Sequence, residues 1–139
     1  MTDIAAFRTY PKRERADQNY EYYQYTDTNS DMSTPVNVVA AKAGLVGVID
    51  ALIVSADAAE TLQVNSFNTS DEDQGELFGP HHIAADIPFV LPEHVSIRAN
   101  AANLSLRIKV TAGQASVFVV YHYETDTERD AFDTAGKYY

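Results

Sequence analysis

Four histidines are the side chains best suited to metal binding in this chain, which has no cysteine. A metal site inside a small β-barrel needs two histidines two residues apart on one strand, because only alternate side chains point to the same face. His81 and His82 are adjacent, so in a strand they point to opposite faces. His94 and His122 remain available, and Glu93 lies beside His94. We therefore predict no metal site, and we expect the histidines at turns and edges, bonded to backbone or water.

Carboxylates could serve in calcium binding or in acid–base catalysis. Asp71, Glu72, Asp73 and Glu76 are clustered, but they lack the D-x-[DN]-x-[DN]-G order with a distal Glu that a calcium loop uses. This run favours a solvated acidic loop. Glycoside hydrolysis takes two facing carboxylates, and Asp50 is the only acid inside an apolar strand pattern. With no visible partner, it is interpreted as an inward-facing acid, an edge-blocking charge or an exposed group.

The sequence contains no motif for nucleophilic catalysis or phosphate binding. Its serines occur in no G-x-S-x-G turn, and its glycines form neither G-x-G-x-x-G nor G-x-x-x-x-G-K. We therefore expect a protein that is not an enzyme, with no catalytic residue and no cofactor.

Charge and hydropathy exclude two classes of partner. The net charge of −10 opposes nucleic-acid binding, because phosphate contacts draw on clustered Lys and Arg. The bases between Arg8 and Arg15 make only a small patch. The longest apolar run, 43–56, contains Asp50 and is too short to span a bilayer. The N-terminus has no apolar stretch of signal-peptide length. We expect a protein made in the cytoplasm that binds neither nucleic acid nor membrane.

After Pro35, apolar residues alternate with period two, which is typical of β-strands. Seven or eight short strands are predicted, at a spacing of roughly 8 to 12 residues. Residues 46–54 and 116–123 are apolar on both faces, as in a central strand or one shared with a neighbouring subunit. The pattern predicts an all-β fold, an antiparallel jelly roll or β-sandwich over residues 36–124. An extended N-terminal arm and a short polar C-terminal tail, residues 125–139, flank it.

Residues 1–35 differ from the rest in composition. They hold five of the nine tyrosines and almost no aliphatic residue beyond Ile4. Such a segment buries too little apolar area to offset its ordering entropy alone, whereas tyrosines could order it on a partner. We therefore predict an arm that contacts a partner. A floppy tail, or a first strand along the domain edge, is the alternative.

From Val46 to Glu124 the chain resembles small jelly-roll virion proteins of tailed phages. The resemblance is carried by V-G-V-I-D-A-L-I-V-S-A-D-A-A-E-T, F-V-L-P-E-H-V and the closing hairpin L-S-L-R-I-K-V-T-A-G-Q-A-S-V-F-V-V-Y-H-Y. It implies a decoration or cement protein, a homotrimer on the capsid exterior that binds the major capsid protein and clamps neighbouring capsomers. It also implies arms that extend across the shell, and it supplies no catalytic residues.

The leading hypothesis is therefore a trimeric structural protein of a phage virion, with the surplus apolar strand faces packed at the trimer axis. Deleting residues 1–35 is predicted to leave the fold intact and abolish docking. The arm residues predicted to bind the partner are Phe7, Tyr10, Arg13, Tyr20, Tyr22, Tyr23 and Tyr25.

Two other hypotheses remain open. The first is a carbohydrate- or receptor-binding sandwich of a tail spike or fibre, with Tyr121, Tyr123, Phe78 and Phe89 as candidate contacts. The second is a cupin-like enzyme, which the histidine spacing disfavours.

Overall fold

The computed structural model describes residues 9–11, 21–111 and 114–125, and every regular element in these ranges is a β-strand. The strands are β1 (Thr9–Pro11), β2 (Tyr23–Asp31), β3 (Val36–Val39), β4 (Val46–Ala56), β5 (Glu60–Phe67), β6 (Asp73–Ile83), β7 (Phe89–Val90), β8 (Val95–Arg98), β9 (Ser105–Val110) and β10 (Gln114–Glu124).

The strands form two antiparallel sheets packed as a sandwich. The larger sheet has the order β1-β8-β4-β10-β2, with β7 also paired to β4, and the smaller sheet has the order β3-β9-β5-β6. Successive strands mostly pass from one sheet to the other, as in a jelly roll. The all-β jelly-roll or sandwich fold predicted from the sequence is confirmed.

Strict alternation in the strands builds the core between the sheets. In β9, Leu106, Ile108 and Val110 are fully buried while Arg107 and Lys109 are half-buried on the other side. The facing sheet contributes alternate residues of β4 and β10. Because side chains in a strand point alternately to the two faces, each sheet keeps one face against the core and one outer face.

The strand pair β4–β10 contains a bulge. Val120 pairs with Ala51 and Tyr121 pairs with Ile49, so Asp50 is an extra residue in β4. An extra residue interrupts the alternation of a strand. The side chain of Asp50 consequently lies on the outer face together with that of Ala51, although a continuous alternation would have turned it into the core.

β6 is longer than the sequence pattern indicated. The acidic cluster of residues 71–76 was expected to be a loop, but its residues 73–76 belong to β6, which is continuous from Asp73 to Ile83. Its pairing with β5 is irregular at Gly79 and Pro80, since Phe78 pairs with Val64 and His81 pairs with Leu62. Gly79 makes this continuity possible, because its φ of +91° lies in the region that side chains avoid, and a Cβ there would lie 2.4 Å from the carbonyl oxygen of Leu62.

Part of the predicted N-terminal arm is a strand of the sandwich. β2, residues 23–31, pairs with β10 from Asp31↔Gln114 to Tyr23↔Tyr121. Met32, directly after β2, is fully buried, and its carbonyl oxygen accepts a hydrogen bond from the amide of Val110. These residues match the alternative that we left open, a first strand along the domain edge, and they place the start of the sandwich before residue 36.

Candidate functional site

The outer face of the larger sheet carries a patch of apolar side chains. Leu52 and Val54 of β4 are buried in the core, so their neighbours in the strand point outward. Ile53 is 38% exposed, and Val90, which pairs with it from β7, is 59% exposed. We define the apolar face as Ala51, Ile53, Val90, Phe118 and Val120, which are cross-strand neighbours on β4, β7 and β10.

The neighbours of the apolar face on β2, and on β4 and β10 at the end away from the bulge, are uncharged. On β2, Thr26 pairs with Phe118 and Gln24 pairs with Val120. At the other side of the patch, Ser55 of β4 pairs with Ser116 of β10. In a chain with net charge −10, an uncharged apolar surface is suited to contact with another protein, because neither desolvation of charges nor repulsion between them opposes it.

Beyond the bulge, the same outer face holds a buried network of charged side chains. Nδ1 of His122 lies 2.5 Å from Oδ2 of Asp50, and Nε2 of His122 lies 2.8 Å from Oε2 of Glu124. Nε of Arg98 donates to Oε1 of Glu124 at 3.4 Å. β4, β10 and β8 position these groups, since Val48 pairs with both His122 and Arg98.

Burial and the two carboxylates act in opposite directions on the pKa of His122. Burial alone lowers it, because it penalises the charged ring, but hydrogen bonds and charges of Asp50 and Glu124 outweigh burial and raise the pKa to about 9. Burial also acts to raise the pKa of Glu124, but His122 and Arg98 hold it below its ordinary value. An imidazole that is protonated at neutral pH cannot act there as a general base. The geometry is that of a structural ion cluster.

The sequence did not reveal this network. His122 was expected at a turn or edge, bonded to backbone or water, but it is 4% exposed and bonded to two carboxylates. Asp50, for which the sequence offered no partner, is one of them. The available signal was the spacing of His122 and Glu124, two residues apart on one strand and therefore on one face.

Three of the predicted arm residues lie at the start of β2 or just before it. Tyr22 is 57% exposed, and its ring meets the imidazole of His122 edge-on, with centroids 5.4 Å apart. Tyr23 stacks on Tyr121 at 5.5 Å. Tyr25 packs against the core, where burial and Asp27 raise its pKa. Of the three, Tyr22 is accessible to a partner, whereas Tyr23 and Tyr25 contact their own domain.

The remaining predicted arm residues are described in part or not at all. Tyr10 lies on β1, and its backbone is paired with that of Ser96 on β8. Phe7, Arg13 and Tyr20 lie outside the described residues.

A cluster of three tyrosines and a lysine packs at one end of the sandwich. Tyr23, Tyr121 and Tyr123 have ring centroids 5.5 to 5.8 Å apart. Nζ of Lys42 lies 4.8 Å from the ring centroid of Tyr123 and 5.1 Å from that of Tyr23. The hydroxyl of Tyr123 donates to the carbonyl oxygen of Ala40 at 2.6 Å. Burial, followed by the charges of Tyr121 and Tyr23, raises the pKa of Tyr123 to about 12.

The aromatic residues considered for carbohydrate stacking contact other side chains of the domain. Tyr121 and Tyr123 belong to the tyrosine cluster. Phe78 of β6 and Phe89 of β7 have ring centroids 5.5 Å apart, and both pack against the core. All four rings are half-buried.

The acidic loop uses its polar side chains to fix its own turn. Oδ1 of Asn68 accepts hydrogen bonds from the amides of Ser70 and Glu72, and Oδ1 of Asp73 accepts from the amide of Gly75. Over residues 9–11, 21–111 and 114–125, no three His, Cys, Asp or Glu side chains are grouped so that they could hold a metal ion. The same part of the chain contains no helix long and apolar enough to cross a bilayer.

Comparison with known proteins gives similarity of fold alone. No family model matches the chain, and no curated protein matches it. One similar solved structure is the CBM22-1–GH10 fragment of xylanase 10B from Clostridium thermocellum complexed with xylohexaose, at a TM-score of 0.45 and 12% identity, covering 77% of this chain and 26% of that one. Another is infectious bursal disease virus, Gx strain, at a TM-score of 0.24 and 8% identity, covering 89% and 43%. Both TM-scores are too low to carry an argument about function.

Proposed function

We propose that this chain is a structural virion protein that binds the outer surface of a phage capsid as a homotrimer and stabilises contacts between capsomers. The observation that carries the proposal is the apolar face on the larger sheet, on which Ile53 and Val90 are exposed. Monomeric proteins seldom expose a contiguous apolar sheet face without using it for contact with a partner. A second and a third copy of this chain are the partner.

The net charge of the chain favours self-association through this uncharged face. Each copy carries a net charge of −10, so copies repel one another unless they meet through an uncharged surface. The apolar face and its neighbours Gln24, Thr26, Ser55 and Ser116 offer one. Three copies around a three-fold axis would each bury about 800 Å² against a neighbour, which is the usual size of a specific interface.

The capsid contact is assigned to the N-terminal segment. Tyr22 is exposed just before β2, which is the edge strand of the larger sheet. Phe7, Tyr10, Arg13 and Tyr20 precede it in the sequence, and aromatic and arginine side chains commonly carry the energy of protein interfaces. The sandwich then forms the trimer, and the segment grips the major capsid protein.

Light scattering behind a sizing column tests the trimer. The wild-type protein is expected at three times the protomer mass of 15.3 kDa. Ile53→Asp places a charge at the centre of the apolar face and is expected to give monomers. The control is Asn37→Asp, which adds the same charge at an exposed position of β3 on the opposite sheet. Monomeric wild type at micromolar concentration, or a trimer that survives Ile53→Asp, contradicts the proposal.

Sedimentation with phage heads tests the capsid contact separately. The full chain is expected to pellet with the heads, and a chain that lacks residues 1–20 is expected to stay in the supernatant as a trimer. Equal binding by both chains would remove the N-terminal segment from the contact. Absence of binding by the full chain would refute the capsid role while leaving the trimer intact.

A further inference from the structure

The outer face of the smaller sheet carries a polar pocket, on the side of the sandwich away from the apolar face. Its floor is formed by two cross-strand pairs of β5 and β9, Gln63 with Lys109 and Asn65 with Arg107. Pro35 before β3, Phe67 and Asp73 complete the lining. Side chains alternate between the two faces of β5 and β9, so these polar side chains lie together on the outer face of the sheet.

The polar side chains of the pocket are held in place before any ligand arrives. Nε2 of Gln63 donates to Oδ1 of Asn65 at 3.2 Å, and Nδ2 of Asn65 donates to Oδ2 of Asp73 at 2.8 Å. This chain of hydrogen bonds crosses from β5 to β6. Rigid polar groups lose little side-chain entropy on binding, which is a property of preorganised sites.

Three contacts hold the side chain of Arg107 in place. Its guanidinium lies over the ring of Phe67, with Cζ 4.4 Å from the ring centroid, and Nη2 donates to Oδ1 of Asp71 at 2.5 Å. Its Nε also donates to Oγ of Ser105 at 3.3 Å. A planar guanidinium held in this way presents its remaining donors at a defined angle to the pocket.

Charges of both signs meet at the pocket. Arg107, Lys109 and Asp73 line it, Asp71 pairs with Arg107, and Glu76 lies opposite Asn65 on the neighbouring strand. Groups of both signs reduce the net attraction to a single ion, and the chain's net charge of −10 repels polyanions. Amide, carboxylate, guanidinium and ammonium groups together supply both donors and acceptors. The ligand that matches such a set is uncharged and has several hydroxyl groups.

We infer that this pocket binds a neutral saccharide, with the sugar hydroxyls hydrogen-bonded by Gln63, Asn65 and Lys109. Arg107 and Asp73 act as positioning residues and as further hydrogen-bonding partners. The pocket lies on the other sheet from the apolar face, so it stays accessible when that face is covered. The inference does not rest on the trimer or the capsid contact.

Chemical-shift mapping by NMR tests the inference on the full chain. The probes are neutral hexasaccharides of glucose, galactose, mannose, xylose and N-acetylglucosamine, and a galacturonic acid oligomer serves as the charged comparison. At millimolar concentration, at least one neutral probe is expected to shift the amides of residues 63, 65, 107 and 109. Gln63→Ala and Lys109→Ala are each expected to weaken binding about tenfold, the loss of roughly one hydrogen bond.

A matched variant outside the pocket controls for effects on binding that any substitution could cause. Lys42→Ala removes the same side chain as Lys109→Ala from the chain between β3 and β4, where Lys42 is exposed, and is expected to leave saccharide affinity unchanged. Shifts at the pocket with the galacturonic acid oligomer alone, shifts confined to other surfaces, or no shift with any neutral probe would each overturn the inference. Preserved circular dichroism and melting temperature of the two pocket variants exclude unfolding as the cause of lost binding.

Discussion

Nδ1 of His122 lies 2.5 Å from Oδ2 of Asp50, although the two residues are 72 positions apart in the chain. The bulge at Asp50 creates this contact, because the extra residue keeps the carboxylate on the outer face beside β10. Glu124 then meets the other ring nitrogen at 2.8 Å. A buried imidazolium between two carboxylates is stable only while all three groups keep their charges.

Stability should therefore depend on pH in a defined window. The pKa of His122 rises from 6.5 to about 9 on folding, so the protonated ring stabilises the fold fully below pH 6.5, and this contribution is lost as pH rises through about 9. By linkage the contribution amounts to about 3 kcal/mol at most. The contribution of Glu124 to stability depends on pH in the opposite direction, because its pKa is lowered on folding. This contribution is lost as pH falls through the pKa of Glu124 in the folded protein.

Chemical denaturation of wild type and His122→Ala as a function of pH checks this window. Wild-type unfolding free energy is expected to decline between pH 6.5 and about 9, and the decline is expected to be absent in His122→Ala. An equal slope of unfolding free energy against pH in both proteins would mean that groups other than His122 cause the decline.

Removing the imidazole should cost more than removing any exposed histidine. His122→Ala leaves the carboxylates of Asp50 and Glu124 without their shared partner in a buried site, which typically costs about 3 to 5 kcal/mol. His82→Ala is the matched control, because His82 is exposed on β6, and its expected effect is within about 0.5 kcal/mol. Unfolding free energies of the wild type and both variants, measured near neutral pH, test this difference. Similar small losses in both variants would show that the network contributes little.

How far the sequence predicted this fold depends on where alternation was visible. In β9 the alternation of Leu106, Ile108 and Val110 indicated both the strand and its buried face. β2 was assigned to the arm because it contains no aliphatic residue. Its half-buried positions nevertheless alternate, with Tyr23 and Tyr25 turned inward. A single edge strand can bury tyrosine rings on one side only, so its signal was aromatic rather than aliphatic.

The candidate surfaces were predictable to different degrees. The apolar outer face followed from residues 46–54 and 116–123, which are apolar on both faces. The contact of His122 with Asp50 was not predictable, because it needs a bulge that no residue type marks. The pocket on the smaller sheet joins Gln63, Arg107 and Asp73 from three strands. Its residues come together only through strand order, which the sequence left open.

Gly79 is expected to be far less tolerant of a side chain than Gly44. Gly79→Ala places a Cβ 2.4 Å from the backbone oxygen of Leu62 at a φ of +91°, so the backbone must move. Gly44→Ala meets nothing within 4 Å, and only its φ of +74° is unfavourable. The expected losses of unfolding free energy are roughly 1 kcal/mol for Gly44→Ala and about 3 kcal/mol or more for Gly79→Ala. Thermal denaturation of both variants measures the difference. Equal losses would mean that the backbone of β6 gives way easily at this position.

The boundary between arm and sandwich can be located with two truncations. Deleting residues 1–35 removes β2, which pairs with β10 over nine residues' length, together with Met32, whose side chain is fully buried. Loss of a large buried side chain alone costs about 2 to 5 kcal/mol, so this truncation is expected to unfold or aggregate rather than to leave the fold intact. Deleting residues 1–20 keeps β2 and Met32 and removes only the short pairing of β1 with β8. That protein is expected to retain a cooperative thermal transition and a β-type circular dichroism spectrum. A folded protein lacking residues 1–35 would show instead that β2 is dispensable, and the arm would then extend to Pro35 as its composition suggests.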